Sequence, residues 1–448
     1  MTGMGTGSER ARTEWVAAKA AELGFDLCGV APPDRFPELE HMTGWLDRGH
    51  AGEMRYLHDP RRLSPERAMD GVRSIIVCVS SYRTAEPLST EVLAQLDTAR
   101  PRGWISRYGW GDDYHDVLLP RLRELIGAMR EEFGEDFDAR AYVDTGPVVE
   151  RVAAKYAGMG WLAKNTCLIN QKLGSFLFLG TIVTTLELEP TVAAGQAPPA
   201  DLCGSCRRCI DACPTGAFVE PYVMDPRRCI AYFTIELRGA IPEEFRPAMG
   251  QMVFGCDICQ DVCPWNQKAA RGGAATLGRM GEFRPWVVKG SGGEGGEGKG
   301  AQARMPVPLG AETSLGDAGG DCDHVESSET GEGRTGPAGQ DATGGQGEWL
   351  EQSNSAPRSL FAPELEWIAS LGEDEYRRVF RRSPVKRAKY RGLVRNACVA
   401  LGNSGEGLEP AARERILKLL ERLAGSPDEL IAEHARWAMG RLGDLARG

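Results

Sequence analysis

The sequence predicts an α+β multidomain chain, and three observations carry that reading. About 200 residues of alternating helical and extended apolar patterns come first. A ladder of closely spaced cysteines follows, from Cys203 to Cys263. A helical part with a repeated small-residue motif comes last. With 448 residues there is chain enough for two or three domains.

The first part reads as an α/β domain. ERARTEWVAAKAAELGFD is an amphipathic helix with Trp15, Ala18, Ala21 and Leu23 on one face. SIIVCVSSY, from Ser74, is a buried strand, and DVLLPRLRELIGAMREEFG is a second helix. ARAYVDTGP is a strand ending at Asp144, VVERVAAKYAGMGW a helix, and SFLFLGTIVTTLEL a long apolar strand or hairpin. No G-x-G-x-x-G opens a helix after a strand and there is no Walker loop, so the common nucleotide cofactors are not indicated. Asp144 stands before Thr-Gly-Pro and a helix, a position that suits a helix cap, a turn former or a catalytic acid.

The second part is a metal ligand set. CGSCRRCIDACP is followed by Cys229 and by CDICQDVCPWN, which gives Cys203, Cys206, Cys209, Cys213, Cys229, Cys256, Cys259 and Cys263. Soft thiolates suit iron–sulfur or zinc. The C-x2-C-x2-C-x3-C-P run is the bacterial ferredoxin signature, in which the fourth cysteine of each run ligates the other cluster. That assigns Cys203, Cys206, Cys209 and Cys263 to one [4Fe-4S] cluster, and Cys213, Cys229, Cys256 and Cys259 to a second. Zinc knuckles are the competing reading, but zinc sites rarely show three cysteines two apart and then Cys-Pro. Cys229 stands 27 residues before Cys256, so residues 230–255 loop out between two ligands and can cover a neighbouring site.

Residues 290–347 hold eighteen glycines in 58 positions, too little apolar surface to offset ordering entropy, and are expected to be a disordered insertion. Cys322 within it lies in no ligand spacing. From about 358 the chain is helical. NACVALG (396–402) and HARWAMG (434–440) align at an offset of 38, which reads as HEAT-like helix pairs docked on the core. The expected domains are 1–196, 197–285, the insertion 286–357, and 358–448. Nine Lys or Arg fall between Arg377 and Arg395 with no balancing acid along the run. In a chain of net charge −10 this favours a phosphate-binding stripe of Arg381, Arg382, Lys386, Arg387, Lys389 and Arg391. No apolar run reaches the length of a membrane span, and MTGMGTGSERARTEW has no hydrophobic signal core, so a cytoplasmic protein is expected.

VDTGPVVERVAAKYAGMGWLAKNT, GSFLFLG, the eight cysteines and RRCIAYFTIELRGAIPEEFRPAMG occur together in order, and in this the chain resembles the epoxyqueuosine reductases. The resemblance runs from about residue 10 to 270 and resumes in the last part. It implies an oxidoreductase with two [4Fe-4S] clusters and a base-off cob(II)alamin, active as cob(I)alamin, held by the N-terminal α/β domain. The reaction implied is reduction of epoxyqueuosine to queuosine at the wobble position of tRNAs with a GUN anticodon, the last step of queuosine biosynthesis. A monomer fed by an external low-potential electron donor is expected. The resemblance makes Asp144 the proton donor of a D-x-x-P-x-x-E-R motif, and places Arg62, Asp144, Leu168, Leu179, Ala231, Glu236, Cys256 and Asp257 against the corrin. It also makes the basic stripe tRNA-binding. Ala163 stands where the family usually has glycine. A reductive dehalogenase shares corrin, clusters and core, but it has no reason to carry a basic HEAT-like tail. A ferredoxin-type electron carrier has no use for the first 200 or so residues.

Overall fold

Ser74–Ser81 is buried at every position, which requires a strand covered on both faces. The computed structural model describes residues 8–288 and 358–445, apart from Arg35, Leu96, Glu135 and Glu406. The glycine-rich stretch 290–347, with Cys322, lies outside the described residues. In chain order come helix α1 (Glu9–Glu22), strands β1 (Leu27–Ala31), β2 (Ser74–Ser81) and β3 (Trp104–Ile105), helix α2 (Tyr114–Phe133), β4 (Ala139–Tyr142), α3 (Glu150–Tyr156), the hairpin β5 (Trp161–Leu162) and β6 (Leu168–Ile169), and β7 (Leu177–Thr184). Further along lie β8 (Met252–Phe254), α4 (Pro264–Arg271), α5 (Lys389–Asn403), α6 (Pro410–Ala424) and α7 (Glu429–Leu445).

The first part is mixed α/β as expected, but its sheet, ordered β1-β2-β7-β4, is antiparallel throughout. Alternating helix and strand patterns do not by themselves demand parallel crossovers. Side-chain alternation splits the core between the two faces. Val30, Ile76, Cys78, Phe178 and Ile182 pack with α1 and α2, while Ala31, Ile75, Val77, Val79 and Val183 pack with α3. The face of α1 differs from expectation: it buries Val16 and Ala20, while Ala18 and Ala21 are exposed. Alanine on every side marks no face, and the i, i+4 pair decides which side is inward. β7 is one strand, not a hairpin, and β4 stops at Tyr142, leaving Asp144 on the turn beyond it.

The helical last part is not an appendage. α5 is buried from Gly392 to Gly402 and shares one core with β3, β8 and the 230–254 loop. NACVALG and HARWAMG lie on α5 and α7 where these helices touch, and a Cβ on Gly402 would come 2.9 Å from the Ala438 Cα. Trp286 belongs to the same core, and Val287–Val288 pairs antiparallel with Arg358–Ser359, so the insertion departs and returns at one place. Among the described residues no helix is long and apolar enough to cross a membrane.

Arg395, 1% exposed, ties α5 to the loop between Cys229 and Cys256. Its guanidinium donates to the carbonyl oxygens of Leu237 (3.0 Å), Gly239 (2.6 Å) and Phe233. Asn396 Nδ2 donates to Thr234 O (2.9 Å) and Val253 O (2.8 Å). Arg395→Met removes the donors and leaves three carbonyls unpaired, so a loss of about 3 kcal/mol is expected. Urea denaturation measures it, and an unchanged midpoint would mean that the loop is held by something else.

Candidate functional site

Asp144 occupies the left-handed region, φ 59°, on the turn between β4 and α3. Asp tolerates this conformation better than most residues, and its cost is repaid where neighbours fix the turn. Here the Asp144 N–H donates to Glu150 Oε1 (2.7 Å), and Tyr114 Oη donates to Asp144 Oδ2 (3.1 Å). Asp144 is not the cap of α3, a position that Val149 holds. Its side chain is 67% exposed, so nothing among the described residues dries it. Glu150, the glutamate of D-x-x-P-x-x-E-R, is pushed well above the usual carboxylate range, by burial first and by Asp144 second. Arg62 lies close enough to oppose that shift, and its own guanidinium, 9% exposed, sits 5.7 Å from the Tyr56 ring.

Tyr56 links these residues to the loop between the cysteines. Burial, then the charges of Glu236 and Asp144, push its phenol up to about 12. Tyr108, pushed up by burial first, likewise feels Asp144, Glu236 and Asp257. Glu236 ends the π-helix Tyr232–Glu236, and Ala231 precedes it. Arg62, Asp144 and Glu236 thus gather around Tyr56, while Ala231 stands one turn back from Glu236 on the same loop. Leu168 is buried and Leu179 half-buried in the α3 face of the sheet core. Asp257 differs from expectation. It is 1% exposed, and its carboxylate accepts from Trp104 Nε1 (2.9 Å), Ser106 Oγ and the Arg107 N–H (2.8 Å). Only its backbone is left for a cofactor.

The thiols converge in two groups. Cys209 faces Cys263, Cys203 and Cys206, and burial followed by these neighbours pushes it up to about 11. Cys256 faces Cys229 and Cys213 and is pushed well up by burial first. Backbone N–H groups aim at the sulfurs: Ala217 N–H at Cys213 Sγ (3.3 Å), those of Ala231 and Tyr232 at Cys229, and those of Trp265 and Asn266 at Cys263. Such donors stabilise thiolates, and the raised pKa values mean that metal binding must displace protons. Among the described residues no three His, Cys, Asp or Glu close on a point as a single ion requires. The hairpin β5–β6 braces the set: Lys164 Nζ donates to Gly204 O and Cys206 O, and Asn165 Nδ2 to Cys259 O (3.1 Å). Ala163 packs with Trp161, Ile169 and Cys263, so its extra methyl is accommodated. A ninth thiol, Cys167, lies beside Cys259, a contact that no spacing rule announces.

The basic run is corrected in one respect: acids distant in sequence balance it. Arg382 pairs with Asp112 (3.2 Å), Lys386 with Asp113 (2.7 Å) and Asp116 (3.6 Å), Arg387 with Glu236 (2.8 Å) and Arg391 with Asp428 (2.8 Å). Arg395 is buried. Arg381 and Lys389 are exposed. Sequence reasoning also missed Asp113, Tyr114 and His115. Their only local signal is an Asp two residues before a His at a helix start.

Two family models match within the chain: "Epoxyqueuosine reductase QueG, DUF1730" over residues 62–145 and "4Fe-4S double cluster binding domain" over 202–266. An epoxyqueuosine reductase of Pseudomonas aeruginosa is 32% identical over 425 residues, spanning 94% of this chain and 92% of its own. That of Shewanella oneidensis is 33% identical over 433 residues, spanning 94% and 87%. A crystal structure of epoxyqueuosine reductase with an epoxyqueuosine-modified tRNA-Tyr stem loop shares the fold, with TM-score 0.68, 24% identity, and coverage of 97% of this chain and 90% of that one. Fold and site together define an iron–sulfur oxidoreductase with a 4Fe-4S double cluster binding domain. The chain belongs to the epoxyqueuosine reductase family.

One prediction concerns acid stability. Burial would raise the pKa of Asp113, 4% exposed, but hydrogen bonds from His115 and Lys386 outweigh it and hold the carboxyl down to about 2. Its folded value lies below the ordinary value of about 3.9, so its contribution, about 2 kcal/mol, is full above about pH 4 and lost as pH falls toward about 2. Asp113→Asn should therefore lower the urea midpoint at neutral pH, with a gap that closes on acidification. A gap independent of pH would contradict this.

Proposed function

We propose that this chain reduces epoxyqueuosine to queuosine at the wobble position of tRNAs with a GUN anticodon, the last step of queuosine formation. The carrying observation is Asp144, held on a left-handed turn where its charge acts on Tyr56 and Tyr108 together with that of Glu236 from the loop between Cys229 and Cys256. Removal of the oxygen as water takes two electrons and two protons, and Asp144 donates a proton to the leaving oxygen. Cys203, Cys206, Cys209 and Cys263 hold one [4Fe-4S] cluster, and Cys213, Cys229, Cys256 and Cys259 the other. A base-off cobalamin would be held here with Leu179 and Ala231, both half-buried, as apolar contacts, Leu168 backing them from the core, and Arg62, Asp144 and Glu236 as hydrogen-bonding partners for an amide-fringed macrocycle. When bound, the clusters and the cobalamin supply low-potential electrons and the reduction of the epoxide. The chain's residues orient the base, and Asp144 delivers the proton.

The helical last part, read as HEAT-like, is the tRNA-binding unit. Arg381 and Lys389 are open to phosphate, whereas Arg382, Lys386, Arg387 and Arg391 would exchange a carboxylate for one. A single-stranded anticodon loop makes displacement of the wobble base inexpensive. The domain divisions 1–196, 197–285 and 358–448, a monomeric state, a cytoplasmic setting and an external electron donor complete the reading.

Anaerobic reconstitution with iron, sulfide and cobalamin, followed by reductant and epoxyqueuosine-containing tRNA, should remove one oxygen mass from the modified nucleoside. Omitting cobalamin or substituting Asp144→Asn should abolish the change. No conversion with clusters and corrin confirmed bound would refute the reading. For Arg381→Ala and Lys389→Ala the slope of log binding against log salt should each fall by about 1. An unchanged slope would place the RNA elsewhere.

A further inference from the structure

Three charged or titratable groups stand in line behind Asp144. Asp113 caps α2 and accepts from the His115 N–H (3.1 Å). The same Oδ1 lies 2.7 Å from His115 Nδ1, so that nitrogen carries the proton and donates to Asp113. The far nitrogen, Nε2, then faces Asp144 Oδ2 at 4.0 Å. Lys386, from the segment leading into α5, sits 2.7 Å from Asp113 Oδ2 and 3.6 Å from Asp116. Tyr114 covers the imidazole, ring centroids 4.1 Å apart, and also donates to Asp144. Asp113 is 4% exposed and His115 33%, so the imidazole meets water while the carboxylate behind it does not.

We propose that His115, oriented by Asp113, returns a proton to Asp144 after each turnover. The proposal rests on the reading of Asp144 as proton donor. Once Asp144 has given its proton to the departing oxygen it is a carboxylate. Imidazolium Nε2–H passes one proton to Asp144 Oδ2, and His115 is left neutral with Nδ1–H still on Asp113. Water then reprotonates Nε2, so one proton enters for each proton that Asp144 gives up, the second proton of the turnover coming from solvent. The 4.0 Å gap exceeds a hydrogen bond by about 1 Å, a distance that a side-chain adjustment of Asp144 on its exposed turn closes. Buried carboxylate, imidazole and reacting group in series is the arrangement by which a carboxylate fixes a histidine tautomer in general acid–base catalysis. His115 is a positioning residue here, acting through Asp144. Lys386 keeps Asp113 charged, which joins the basic run to the proton path.

The test compares first and later turnovers of the cluster- and cobalamin-loaded protein, with reductant in excess and epoxyqueuosine-containing tRNA as substrate. His115→Ala should complete its first turnover within about 2-fold of the unaltered protein and slow later ones by about 10- to 100-fold. Added imidazole should restore the later turnovers. His115→Gln, which fills the site and moves no proton, should be equally slow and not rescued. Later turnovers of His115→Ala at the unaltered rate, with Asp144→Asn inactive, would overturn the relay and leave the donor reading intact. A His115→Ala defect equal in first and later turnovers and unmoved by imidazole would mark a structural role and also overturn it. Full conversion by Asp144→Asn would remove the donor reading and the relay together.

Discussion

The buried guanidinium of Arg395 is the constraint on which the site depends. A charge at 1% exposure is tolerable only if carbonyls meet it, and the chain turns the carbonyls of Phe233, Leu237 and Gly239 inward to do so. Burial lowers its pKa to about 10, which still leaves it charged at neutral pH. Asn396 takes the next two carbonyls, and Thr234 Oγ1 accepts from the Gly255 N–H (2.9 Å). The segment between two cluster cysteines therefore has one path, set by a helix some 140 residues further along the chain.

That path makes the surroundings of Tyr56 a joint product of the sheet domain, the loop between the cysteines and the helical last part. The sheet brings Asp144 to its edge, the π-helix brings Glu236 opposite, and Arg387 from the basic segment closes on Glu236. Lys386 reaches Asp113 in the same way. The contacts that hold the helical part in place are thus the ones that shape the surroundings of the acid. Two ion pairs, Lys386 with Asp113 and Arg387 with Glu236, join the basic segment to the surroundings of Asp144.

Much of this was legible in the sequence because it rests on spacing. Cysteines two and three residues apart, a strand of continuous apolar residues and an offset of 38 between small-residue motifs are local patterns, and the double-cluster domain, β2 and the α5–α7 contact followed. What was not legible depends on partners far apart in sequence. The acids that balance Arg382, Lys386, Arg387 and Arg391 lie between 37 and 273 residues away, so a charge run read along the chain looked unopposed. The face of α1, and the contacts that bury the Asp257 carboxylate against Trp104 and Ser106, were not legible for the same reason: each is decided by what packs against it.

The proposed cluster assignment divides eight thiols into two sets of four. Iron-edge anomalous diffraction from anaerobically reconstituted crystals tests it most directly. Two separate iron peaks are predicted, one bounded by Cys203, Cys206, Cys209 and Cys263 and the other by Cys213, Cys229, Cys256 and Cys259. A single peak, or a cluster held by Cys203, Cys206, Cys209 and Cys213 together, would contradict the account.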